Sequence, residues 1–74
     1  MDINCEKRVG ANIRQIRESK KMTQENLSAK LQVRGCDITR SALAKIEVGQ
    51  RHLYVDELIH LKEIFSVSFD ELLK

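Results

Sequence analysis

A chain of 74 residues buries only a modest core, so help is expected from a metal, a disulfide or a second copy, and a homodimer is the first expectation. The absence of Trp and Pro, with only three aromatics, fits helices better than strands, and no apolar run is long enough to cross a bilayer. The net charge of +2 hides an asymmetry: residues 7–51 carry eleven Lys or Arg against four acids, and residues 52–74 carry two against five, so the first part suits a polyanion and the second should face away from it.

In chain order, Val9, Ile13 and Ile16 recur at helical spacing and mark a first helix ending near Glu18–Lys21. Thr23 can cap a second helix through its hydroxyl, with Leu27 and Leu31 on the inner face and Gly35 as the natural stop. Thr39, or else Asp37, opens a short third helix that carries Leu43 and Ile46 inward and ends before Gly49. Asp56 starts a fourth, with Leu58, Leu61 and Phe65 three and four residues apart. Ser68 and Glu71 form a capping box that opens a fifth, carrying Leu72 and Leu73. Five short helices with no credible strand make the fold class all-α, and no repeat or linker divides residues 1–74, which read as a single domain.

Cys5 and Cys36 read as reduced thiols, because no charged start followed by an apolar run marks a secretory signal; a cytoplasmic location is expected. Neither they nor His52 and His60 stand at a metal-ligand spacing, so no metal and no cofactor is expected. Without a Gly-rich phosphate loop, a paired-carboxylate setting or a nucleophile beside a base, the chain does not read as an enzyme.

The segments Ile13-Arg14-Gln15-Ile16-Arg17, Met22-Thr23-Gln24-Glu25-Asn26-Leu27 and Ile38-Thr39-Arg40-Ser41-Ala42-Leu43-Ala44-Lys45-Ile46-Glu47-Val48-Gly49, with the Phe65 to Leu73 ending, resemble the phage repressor and Cro family of helix-turn-helix proteins. The resemblance spans nearly the whole chain and implies a compact five-helix, lambda-repressor-like domain that binds double-stranded DNA and regulates transcription, as a repressor. In that family the second helix crosses the DNA backbone while the third lies in the major groove. Arg40, Ser41, Ala44 and Lys45 match the positions that read bases: Arg40 and Lys45 suit guanine acceptors and Ala44 a thymine methyl. Thr23 and Gln24, at a helix amino end, together with Thr39, Gln50 and Arg51, are placed for phosphates. The resemblance also implies a structural ion pair between Arg17 and Glu47, worth several kcal/mol if buried and little if exposed.

Two departures stand out. The stretch from Gln32 to Asp37 elongates the turn between helices two and three, either as an extra helical turn ended by Gly35 or as a loop, and adds Arg34 as a further phosphate contact. Lys62 replaces a small apolar residue; its stem can lie along the core with the amine in water. The apolar residues Leu53, Tyr54, Ile59, Ile64 and Phe69 exceed what one small core needs, and a dimer surface through Tyr54, Ile59, Ile64 and Phe69 follows. The competing possibility is a protein-binding module on the same fold, such as an antitoxin, whose apolar carboxyl half holds a protein partner.

Overall fold

The computed structural model describes residues 2–74 as five helices: α1 (Ile3–Ser19), α2 (Gln24–Val33), α3 (Arg40–Glu47), α4 (Val55–Phe65) and α5 (Phe69–Leu73). Helix starts follow the hydroxyl and carboxylate signals in the sequence. Asp2, Thr23, Thr39 and Ser68 each accept a hydrogen bond from a backbone N–H of the first turn they precede. Thr39 rather than Asp37 therefore caps α3. α4 begins at Val55, one residue before the expected Asp56, because the Glu57 carboxylate reaches back to the Tyr54 N–H at 2.9 Å and satisfies the entry without a hydroxyl. Of the box expected at α5, the Ser68 half is formed, with the Glu71 N–H donating to its hydroxyl at 3.2 Å.

The elongated turn contains both of the alternatives raised for it. α2 runs to Val33 and closes with the Gly35 N–H on the Gln32 carbonyl and the Cys36 N–H on the Leu31 carbonyl, Gly35 taking a left-handed φ of 77°. An extended link from Cys36 to Thr39 follows, and it is pinned rather than loose. Ile38 is fully buried, and its carbonyl accepts from Ser28 Oγ at 2.7 Å and Gln32 Nε2 at 3.1 Å. α1 closes in the same way without a glycine, so Lys21 is held at φ 59°.

The core is one cluster in which Val9, Ile13, Leu27, Leu31, Leu43, Leu61, Phe65 and Leu72 are essentially inaccessible to water. α1 packs against α3 and α5, and α2 against α3 and α4, so α3 is held from two sides by its inner face. The α1–α3 crossing is close: a Cβ at Gly10 would lie 2.2 Å from the Ile46 carbonyl oxygen, which explains a glycine in the middle of a helix. Among the described residues no helix is long and apolar enough to cross a membrane.

Candidate nucleic-acid interface

α3 has eight residues, and its two faces differ sharply. Leu43, Ile46 and Glu47 are buried, whereas Arg40, Ser41 and Lys45 are exposed and Ala44 is half-buried beside them. Val48, 50% exposed, continues the outer stripe past the helix end. At the opposite end, an open groove is lined by Gln24, Arg40, Ser41 and Ala44, and it adjoins a second lined by Arg17, Met22, Thr23, Gln24, Glu25 and Arg40. Of the sequence-predicted positions, Thr23, Gln24, Arg40, Ser41 and Ala44 thus meet on one surface, where the amino end of α2 abuts the amino end of α3, while Gln50 and Arg51 lie at the other end of α3. Helix amino ends present unpaired N–H groups and partial positive charge, which suits phosphate oxygens.

Behind that surface lies a buried polar cluster that sets the position of α3. Arg17 Nε and Nη2 donate to the two oxygens of Glu47 at 2.7 and 3.1 Å, and Arg17 Nη1 donates to the Met22 carbonyl at 2.8 Å. The side chains are 9% and 1% exposed. Gln24 Nε2 donates to Glu47 Oε1 at 3.0 Å, so the carboxylate ending α3 is held by α1 and α2 together. The Glu47 hydrogen bond raises the Arg17 pKa, outweighing the desolvation that opposes it.

Two other expected phosphate residues have partners within the protein. Arg51 was expected at a phosphate, but its Nη1 and Nη2 donate to Glu57 at 3.0 and 3.1 Å, and Nη1 also reaches the His52 carbonyl at 2.9 Å. The hydrogen bond to Glu57 raises the Arg51 pKa despite partial burial, and the guanidinium serves the turn before α4. Arg34 likewise has partners within the protein, the Glu63 carboxylate and His60 Nδ1 at 3.1 Å, and so ties the end of α2 to α4. Gln50 is exposed at the far end of α3, with its backbone N–H closing the helix on the Lys45 carbonyl at 2.8 Å. Of the expected dimer surface, Tyr54, Ile59 and Phe69 are exposed, but Ile64, like Leu53, is half-buried against the core; Val55 of α4 is 73% exposed. The Lys62 ammonium sits 5.4 Å above the Phe69 ring centroid, a more specific placement than an amine simply left in water.

A helix-turn-helix family model matches residues 13–72. The chain belongs to that family. Over 63 residues it is 40% identical to YqaE of Bacillus subtilis (strain 168), an uncharacterised HTH-type transcriptional regulator, covering 85% of this chain and 50% of that protein. The chain therefore spans about half the length of the curated relative it matches. In structure it is similar to the DNA-binding domain of BldD, with a TM-score of 0.84 and 26% identity over 100% of both chains. The S. venezulae BldD DNA-binding domain gives 0.79 and 25%, over 96% of this chain and 99% of that one.

Several residues of this helix-turn-helix domain were invisible to spacing. The Gln24–Glu47 bond, the Glu6–His52 contact at 2.8 Å and the Asn12 amide on the Leu72 and Lys74 carbonyls at 2.9 Å each join positions far apart in sequence. Gly10 did leave a signal, because a glycine inside an otherwise good helix marks close backbone approach.

Proposed function

We propose that this domain is a sequence-specific transcriptional repressor that reads double-stranded DNA by laying α3 in the major groove. The observation that carries this is the uncovered outer stripe of α3, where Arg40, Ser41 and Lys45 stand exposed while every large apolar side chain of the helix is buried. Arg40 donates to guanine O6 and N7, Lys45 to guanine acceptors, Ser41 to an adjacent base edge, and Ala44 meets a thymine methyl. Thr23, Thr39 and Gln50, with Gln24 through its backbone N–H at the start of α2 because its side chain is on Glu47, hold phosphates on either side and set the register without reading sequence. Membership of the helix-turn-helix family and similarity to a DNA-binding domain support the reading.

The domain acts in the cytoplasm as a homodimer through Tyr54, Val55, Ile59 and Phe69, which lie in the acidic carboxyl part. Two copies then address half-sites about 34 Å apart along the duplex. Selection of bound sequences from random duplex DNA tests this. A two-fold symmetric motif with half-sites one helical turn apart is expected; recovery of no motif refutes base reading, and a single unpaired half-site refutes the dimer. A protein-binding module would use the same apolar patch, and its association would scarcely respond to salt, whereas DNA binding through about six phosphates weakens by orders of magnitude.

A further inference from the structure

Among the described residues, four arginines of the basic stretch are already held by carboxylates: Arg14 by Glu18, Arg17 by Glu47, Arg34 by Glu63 and Arg51 by Glu57. Of these pairs Arg17–Glu47 is buried and Arg51–Glu57 partly so, whereas Arg14–Glu18 and Arg34–Glu63 lie at the surface. At the far end of α3 such pairing matters most, because Arg51 was the cation there. The groove at that end is lined by Val48, which ends the outer stripe of α3, by Gln50 and by Lys7 of α1. Glu6 lies in its wall with His52 Nδ1 on its carboxylate at 2.8 Å, and Arg51 is held by Glu57, so those side chains are already partnered. Lys7 is exposed and lies in no ion pair among the described residues.

Lys7 is also held in place. A Cβ on Gly49 would fall 2.4 Å from Lys7 Cγ and 3.0 Å from Lys7 Cα, so the start of the lysine stem lies directly against the turn that ends α3. Gly49 is needed there twice, for its φ of 77° and for the room it leaves to Lys7. A stem anchored at its base loses less rotational freedom when its ammonium is engaged, and a compact ammonium suits a phosphate as a point charge.

We infer that Lys7, projecting from α1 across Gly49 beside Gln50, is a DNA-backbone contact at the carboxyl end of α3, where the Arg51 guanidinium is engaged by Glu57. α3 is then flanked by backbone contacts at both ends, Thr23 and Gln24 at one and Lys7 and Gln50 at the other. This rests on the DNA-binding reading above and adds a residue that the spacing of the helix-turn-helix motif does not include.

The test compares wild type with Lys7→Met, which keeps the stem over Gly49 and removes the charge, and with Lys7→Arg, which restores it; Lys7→Gln is a second neutral variant. Binding of each to a mixed-sequence duplex is followed by fluorescence anisotropy across a salt series, alongside sequence selection. Losing one phosphate contact should shallow the salt slope by about 0.9, so that over a roughly fourfold rise in salt the neutral variants lose about 3.5-fold less affinity than wild type. Lys7→Arg should keep the wild-type slope, and the selected motif should be the same for all. A wild-type slope in both neutral variants overturns the inference and leaves the DNA-binding reading intact. A changed motif also overturns it, by making Lys7 a base-reading residue. A wild type whose binding ignores salt overturns both.

Discussion

Replacing Glu47 with Gln removes one charge from a pair whose members are 9% and 1% exposed, while barely changing shape. Glu47 accepts two hydrogen bonds from Arg17 and one from Gln24. A glutamine keeps one acceptor oxygen and turns an NH₂ group toward a donor, so at least one bond is lost and the Arg17 guanidinium stays buried without its counter-charge. Hydrogen bonds to charged groups contribute about 1.5–3 kcal/mol each, and breaking a buried ion pair on one side costs about 3–5 kcal/mol. The expected loss is about 3 kcal/mol, at the lower end because the isostere retains part of the network. Chains of this length have stabilities of about 4–11 kcal/mol, so a large fraction disappears and the melting temperature falls by roughly 12–24 °C. Urea denaturation followed by far-UV circular dichroism measures it, and added salt should leave the loss in place, since a buried pair is poorly screened. Replacing both partners by apolar residues, Arg17→Met with Glu47→Leu, should recover most of the stability, because no charge is then left buried. A loss below about 1 kcal/mol for Glu47→Gln alone would mean that the pair behaves as an exposed one, and the case for a locked α3 would be refuted.

Lys45→Ala is expected to relax base preference at one position per half-site and to weaken the best site by about 1–3 kcal/mol, as read by sequence selection and anisotropy; an unchanged motif removes Lys45 from the reading face. Gly10→Ala should destabilise by about 1–3 kcal/mol or more, because its methyl would sit 2.2 Å from the Ile46 carbonyl oxygen and force α1 from α3; a melting curve equal to wild type contradicts that crossing. Lys21→Gly should stabilise by about 1 kcal/mol, since an exposed lysine at φ 59° bears a steric cost that glycine does not, and a loss on denaturant titration argues against strain there. Burial, with Glu57 and Asp56 adding to it, pushes the Cys36 thiol above its ordinary range. A pKa raised by folding stabilises fully below the unfolded value and that contribution is lost as pH rises through the folded one, so stability should fall more steeply for wild type than for Cys36→Ala as pH rises above the ordinary thiol value of about 8.5. Parallel profiles count against a buried thiol.

Most of the helical framework was legible because helix signals are local. Thr23, Thr39 and Ser68 act on N–H groups three residues away, and Leu27 with Leu31 or Leu58 with Leu61 repeat at the helical period. Asp56 failed as the start of α4 for an equally local reason: Glu57 reaches back one turn and makes the cap from the other side. The outer stripe of α3 was legible as well, since burying Leu43 and Ile46 dictates where Arg40, Ser41 and Lys45 point.

Which cations remain free for a ligand was not legible. Arg34, Arg51 and Lys7 look alike in the sequence, all basic and all near motif boundaries. Two are claimed by Glu63 and Glu57, whereas Lys7 is laid across Gly49, and those outcomes depend on how α1, α2 and α4 cross. The sequence alone determined most helices and caps and the inward faces of α2, α3 and α4, because each is decided by neighbours within a turn or two of the chain, whereas the burial of Ile38 and Ile64 needed the fold. The tertiary structure decided the partners of the charges and the depth of the Arg17–Glu47 pair, because an ion pair forms wherever the folded backbone brings opposite charges within reach, whatever their separation along the chain.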